Sequence, residues 1–503
     1  MSPDHLLLLG AVVVLVAVLA ARLGARFGLP SLLLFLGVGL ALPLVGFDLH
    51  DPDLAHNLGF AALVFILAEG GLTTKWEDVR PALGVASLLA TVGVLASLGV
   101  VAVFGHFVLG LPVVAAALLG AITAPTDSAA IFSVLRHVPL PPRMRAILES
   151  ESGLNDAPIV LLVALFTAFS LGQEGHESPL VAVALIAGEF AGGLLLGAAM
   201  GWLGSKILKT VALPASGLYP LAVMGLIVLA YGVGVVLHVS GFAAVYVCAV
   251  ILGNAELQHR NATRSFAEGL GWVCQIGLFV MLGMLAEPER LTWVVVVNGL
   301  LIGGFVTLIA RPLSVAVCAV WFKITVRQQM FISWAGLRGA VPIIMATVPL
   351  AAGVNSAVLL FDEVFVFVVA FTLVQAPTRP FVAHWLGVAD ERDSIDIEVE
   401  SAPLERMKAD FMQVTVPPGS KLHGVTVKEL RMPRFSVIAV IIRRGEPLTP
   451  APNDAIREGD ELLIVVPSAR RRALEERLRA VGRAGRLAGW LRRPGQEEPR
   501  PSR

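Results

Sequence analysis

Ten residues concentrate more chemistry than any other stretch of the chain: Glu149-Ser150-Glu151-Ser152-Gly153-Leu154-Asn155-Asp156-Ala157-Pro158. Helical spacing puts Ser152 and Asp156 on one face and Glu151 and Asn155 on the next, as i, i+4 pairs. A hydroxyl and a carboxylate on one face are hard oxygen ligands, which suit an alkali cation. The plain alternative is a helix start rich in capping residues, and a neighbouring polar break argues against it. That break is Ala124-Pro125-Thr126-Asp127-Ser128, inside an apolar run, where proline removes a helical N–H and frees backbone groups. A second break, Gly336-Leu337-Arg338-Gly339-Ala340-Val341-Pro342, interrupts another run. Arg338 there needs a counter-charge, with Glu151 preferred and Asp127 second. Three further ionisable residues lie in apolar sequence. Glu69 reads as either functional or interfacial, Glu189 as a packing or ion-pair residue, and Arg311 as a brace of the same core or a structural residue.

These groups need a membrane to position them. The chain has 503 residues, 56% hydrophobic and 15% charged, with mean hydropathy +0.79. Residues 1–389 hold 17 Lys+Arg and 20 Asp+Glu, whereas residues 390–503 hold 21 and 18. A soluble chain averages about 25% charge, so the first part is membrane body and the second a soluble tail. Net charge of zero removes nucleic acid as a default partner. Cys248, Cys274 and Cys318 lie in apolar runs and read as small hydrophobes with no disulfide framework.

Thirteen runs are apolar enough to span, starting near Leu6, Leu29, His56, Ala82, Leu111, Ala146, Pro179, Gly217, Ser240, Glu268, Thr292, Met330 and Leu359. Alternate loops carry Arg22 and Arg26, Lys75 and Arg80, Arg136, Arg143 and Arg145, Lys206 and Lys209, Arg260 and Arg264, Lys323 and Arg327. The intervening loops carry Asp48, Asp51, Asp53, Glu174, Glu177, Glu287, Glu289, Asp362 and Glu363, with Arg290 their only cation. Lys and Arg are retained in the cytoplasm, so the N-terminus is expected outside and the tail inside. The two broken runs are the fifth and the twelfth, of opposite direction, and interrupted helices in inverted halves point to a midplane transport site.

On these residues the chain resembles the NhaP-type monovalent cation/proton antiporters. Thr126-Asp127, Glu151-Ser152, Asn155-Asp156 and Trp334-Ala335-Gly336-Leu337-Arg338-Gly339 carry the resemblance, which spans residues 1–389. It implies an all-α polytopic membrane protein of about thirteen helices with inverted repeats, two crossed discontinuous helices, and a homodimer in the plasma membrane. Asp156 then resembles the carboxylate that takes ion and proton alternately, and Asn155 its structural partner. Glu151 and Arg338 resemble the internal ion pair, with Ser152, Thr126 and Glu69 as supporting ligands and Asp127 beside them. A cation would lie at Asp156, Ser152 and Thr126. One titratable group at the Asn155-Asp156 pair suggests one proton for one cation, an electroneutral exchange that regulates cytoplasmic pH and cation content.

After a linker at 390–404, residues 405–480 read as strand Phe411–Val416, a short helix at Val427–Leu430, hairpin Ser436–Pro447 and strand Glu461–Val466. This small α/β pattern resembles the TrkA-C (RCK-C) regulatory domain of potassium transport proteins. It implies a small regulatory ligand and favours K⁺ over Na⁺, although an Na⁺(Li⁺)/H⁺ antiporter of the same fold fits the membrane residues equally. No glycine fingerprint of a Rossmann half is present, and no cofactor is expected. Residues 481–503 read as a basic, disordered tail. Transport is expected, not enzymatic turnover. An RCK-gated cation channel is the rival of another class, but the sequence has no Thr-Val-Gly-Tyr-Gly filter. An organic-solute symporter would want more aromatic and hydrogen-bonding residues at the breaks than these small, oxygen-rich ones.

Overall fold

The computed structural model describes residues 3–27, 31–43, 46, 51–127, 140–172, 179–211, 213–389, 398–404, 409–433, 435–467 and 470–489. The chain divides into two compact units, Met1–Ala389 and Asp390–Arg503, close to the boundary where the charge density changes.

The first unit is helical. In chain order it contains α1 (Pro3–Phe27), α2 (Ser31–Ala41), α3 (Pro52–Thr73), α4 (Leu83–Phe107), α5 (Val113–Thr123), α6 (Pro142–Ser170), α7 (Pro179–Thr210) and α8 (Leu218–Val236). There follow α9 (Gly241–Asn254), α10 (Arg260–Leu285), α11 (Trp293–Ala319), α12 (Val326–Ala335), α13 (Ala340–Ala351) and α14 (Ala357–Trp385). Among the described residues, eight helices are long and apolar enough to cross a membrane, and α12 with α13 make a ninth span bent by 54°. The four other expected starts fall on shorter apolar helices, Gly10–Arg22 within α1, α2, α5 and α9. The second half of the fifth run, after Asp127, lies outside the described residues.

Packing sorts these helices into two groups. α3 packs on both α9 and α10, with α2 against α10, α1 against α2, and α7 and α8 against α9. α4, α5, α6, α11, α12, α13 and α14 form the other group, and α3 meets α13 across the seam. Small residues bring α7 close to α9. A Cβ on Gly193 would come within 2.3 Å of the Ser240 oxygen, and one on Gly197 within 2.5 Å of the Ala244 oxygen. Such a stripe lets helix backbones approach where lipid supplies no hydrophobic drive. Local sequence explains the irregular turns. Pro312 has no N–H to donate, and a π-helical turn, Val306–Ala310, immediately precedes Arg311.

The second unit is a five-stranded antiparallel sheet in the order β1-β2-β5-β3-β4: β1 (Glu398–Leu404), β2 (Ala409–Thr415), β3 (Val437–Arg443), β4 (Glu446–Leu448) and β5 (Glu461–Pro467). Helix α15 (Arg471–Ala484) lays Leu474, Leu478 and Val481 into a core with Met412, Val414, Ile464 and Val466. Three expectations are corrected. The 390–404 linker contributes β1, because its alternating Glu398–Leu404 segment pairs with β2. Val427–Leu430 is a turn, not a helix; Thr426 caps it through its side chain and closes an isolated bridge to Ala455. The first residues of the expected 481–503 tail are helical, since the amphipathic α15 continues to Ala484. Residues 490–503 of the expected tail lie outside the described residues.

Candidate ion-binding site

The segment that ends α5 is tied to the break between α12 and α13. Asp127 donates its backbone N–H to the Leu337 carbonyl (2.8 Å), and its Oδ2 accepts from the Ala340 N–H (2.6 Å). Asp127 therefore caps the N-terminus of α13, where free N–H groups and the helix dipole favour an anion. In return, Arg338 Nε donates to the Thr123 carbonyl at the end of α5 (3.0 Å), and Thr372 of α14 donates to the Arg338 carbonyl (3.0 Å). Each break thus satisfies the other's orphaned backbone groups. Gly336 fits between them because a Cβ there would stand 3.0 Å from Arg311 Nε and from Thr126 Cγ2.

This arrangement corrects the expected ion pair. Glu151 is bound by Arg311, not Arg338, through two parallel bonds, Nη1–Oε1 at 2.5 Å and Nη2–Oε2 at 2.7 Å. Both side chains are buried. The reason is geometric: Arg338 is committed to the α5 C-terminus and the Gly336 carbonyl, leaving the planar guanidinium of Arg311 to face the carboxylate in bidentate fashion. Arg338 still interacts electrostatically with Glu151 and Arg311.

Asn155 and Asp156 follow one turn later on α6. Asn155 Nδ2 donates to Thr126 Oγ1 (2.8 Å), pinning α6 to the α5 break. Asp156 is 1% exposed, and neither of its carboxylate oxygens has a hydrogen-bond partner among the described residues. Asn155 Oδ1 is likewise unbonded. Ser152, fully buried, donates its hydroxyl to the Leu148 and Glu149 carbonyls (3.0 and 3.2 Å), which leaves its lone pairs as acceptors. Asp127 is near enough to interact electrostatically with Asp156. An isolated buried carboxylate is too costly to stay both charged and unpaired, so this one is neutralised by a proton or by a cation.

Glu69 and Glu189 lie on other helices. Glu69, half-buried on α3, leans on α10, where a Cβ at Gly271 would fall 2.0 Å from its Oε2. Glu189 belongs to α7, and its main-chain carbonyl accepts from the Ser240 N–H (2.9 Å). Asp362 and Glu363 are not loop residues: they are buried in the first turns of α14. Arg290 holds Asp362 (3.1 and 3.3 Å), and Asn298 donates to Glu363 (2.7 Å). Arg379, also on α14, escaped the sequence reading. It is fully buried with no hydrogen-bond partner for its guanidinium among the described residues, and an arginine amid the apolar residues of 357–385 was the signal for it.

A family profile described as "Sodium/hydrogen exchanger, transmembrane" matches residues 11–385, and a TrkA-C domain profile matches residues 411–479. The chain belongs to the sodium/hydrogen exchanger family. Among relatives of this exchanger, the K(+)/H(+) antiporter NhaP of Alkalimonas amylolytica is 32% identical over 91% of this chain and 80% of its own. The K(+)/H(+) antiporter NhaP2 of Shewanella oneidensis is 33% identical over 92% and 81%. The Na(+)/H(+) antiporter NhaS2 of a Synechocystis species is 28% identical over 56% and 52%. The fold is that of the sodium proton antiporter MjNhaP1 of Methanocaldococcus jannaschii, with TM-score 0.66 at 22% identity over 77% of this chain and 99% of that one.

Proposed function

We propose that this exchanger trades one proton for one monovalent cation at Asp156, with K⁺ its preferred cation. The observation that carries the reading is the buried Asp156 carboxylate, unbonded among the described residues, beside the unbonded Asn155 Oδ1 and the Ser152 hydroxyl. Bound cation and bound proton are the two ways to neutralise it, and they exclude each other. One titrating group makes each half-cycle carry one charge, so exchange is electroneutral. Glu151 is matched by Arg311 and Asp127 is engaged at the α13 N-terminus, which leaves Asp156 as the group to titrate. The names of the NhaP and NhaP2 relatives and the TrkA-C tail favour K⁺; the name of the Synechocystis relative favours Na⁺ as the second reading.

In this reading thirteen spans form two inverted repeats, the N-terminus lies outside the plasma membrane, and the tail is cytoplasmic and regulatory. The alternating loop charge supports the orientation. The exchanger works as a homodimer, as the family resemblance implies. Dissipation of a pH gradient in everted vesicles, with K⁺, Na⁺ and Li⁺ compared, tests the assignment. Asp156→Asn abolishes the exchange; retained exchange places the site elsewhere. A rate that follows membrane potential in proteoliposomes rules out one-for-one stoichiometry.

A further inference from the structure

A cavity of about 570 Å³ opens between the one-turn helix Trp76–Val79, α4, α6, α7 and α9. Its wall is mostly apolar, with Val79, Leu83, Leu154, Val247, Val250 and Ile251. The size is that of pockets that bury an organic ligand, and a path for hydrated cations would want more polar walls. Its polar groups are few. Asn254 is already spent, accepting from the Trp76 N–H and donating to the Thr74 and Val250 carbonyls. Ser150, from α6, is fully buried, and its Oγ has no partner among the described residues. Lys209, exposed on α7, is the sole charged side chain lining the cavity among the described residues.

The surroundings belong to the bilayer surface. Trp76 is 45% exposed at the rim, and Lys206 lies 5.3 Å over the ring of Trp202 one turn before Lys209. Trp and Lys together mark the headgroup level. Only 11% of the most apolar window of α7 is buried, so this wall faces lipid.

We propose that the cavity holds an acyl chain of an anionic phospholipid from the leaflet on the Lys75, Lys206 and Lys209 side, with Lys209 on its phosphate and Ser150 donating to an ester oxygen. Such a lipid spans the seam between the helix groups. It touches α6 at Ser150 and Leu154, six and two residues before Asp156, and touches α7 and α9 on the other side. Occupancy therefore couples the composition of that leaflet to the helix bearing the ion site.

The test is lipid binding by the purified, delipidated full chain, read as the shift in thermal-unfolding midpoint with dioleoyl phosphatidylglycerol, dioleoyl phosphatidylcholine or oleate. Phosphatidylglycerol raises the midpoint at lower concentration than phosphatidylcholine does. Lys209→Gln weakens that response about fivefold in half-effect concentration and leaves the phosphatidylcholine response unchanged. Val250→Trp, which fills the cavity, removes both. Equal responses to the two phospholipids, or an unaltered Lys209→Gln response, overturn the proposal. Oleate acting as strongly as phosphatidylglycerol assigns the cavity to a free fatty acid and also overturns it. Should Val250→Trp not fold, Lys209→Gln on the exposed face of α7 decides alone. The readout is binding, so its failure leaves the antiport reading standing, and loss of the antiport reading leaves it untouched.

Discussion

Asp156 and Glu151 are neighbours on α6 with opposite circumstances: one is fully matched by Arg311, the other has no hydrogen bond among the described residues. Their neutral variants should diverge accordingly. Asp156→Asn removes an unsatisfied buried charge, so we expect an exchange-dead protein whose thermal midpoint is unchanged or raised. Glu151→Gln strands Arg311 in the interior, and we expect a loss of about 3–5 kcal/mol, read by chemical unfolding in detergent. Proton–cation competition gives a third expectation. Below the pKa of the site, the apparent KM for the cation rises about tenfold for each unit by which pH falls if one proton leaves per cation bound; a hundredfold rise per unit of fall would mean two. At this scale the sequence showed which side chains are costly but not which ones meet. Arg338 was the expected partner of Glu151, and Arg311 read only as a brace of the same core or a structural residue. The choice depended on the Thr123 carbonyl, a backbone group at a helix end that no residue type announces.

Proline and glycine announced where α5 and the α12–α13 pair break, and that much of the fold was legible. What remained hidden is that the ends serve each other, because cross-capping depends on three-dimensional proximity and not on local propensity. Asp127→Ala removes the α13 cap and should cost about 0.5–2 kcal/mol, while Asp127→Asn, which keeps a side-chain acceptor, should retain most of it; hydrogen exchange at the Ala340 amide distinguishes them. Short elements were least legible. In Val427–Leu430 the side chains suit a helix, but Thr426 diverts the backbone into a turn. The two acids at 362 and 363 looked like loop residues because charge usually marks a loop, yet Arg290 and Asn298 compensate them inside α14.

Across the whole molecule, the change in charge density near residue 390 coincides with the division into two units. The soluble unit holds its own ion pair, with the buried Asp460 2.8 Å from the partly exposed Arg443. Burial works against the Asp460 charge, but Arg443 and the Arg457 N–H hold its carboxyl below the usual carboxylate range. A depressed folded-state pKa adds stability that is present above the unfolded value and lost as pH falls through the folded one. The tail sheet should therefore loosen in acid, and Asp460→Asn should flatten that dependence, seen as hydrogen exchange in β5. Truncation near residue 400 should alter the exchange rate or its pH profile if the tail regulates; an unchanged profile removes that role. In the membrane unit, the reciprocal caps at Asp127, Leu337, Arg338 and Ala340 make the two broken helices a single stiff piece. Groups tied in this way are expected to move as one body during transport, sliding against greasy neighbours. Turnover should then track the fluidity of the bilayer more closely than the hydration energy of the cation.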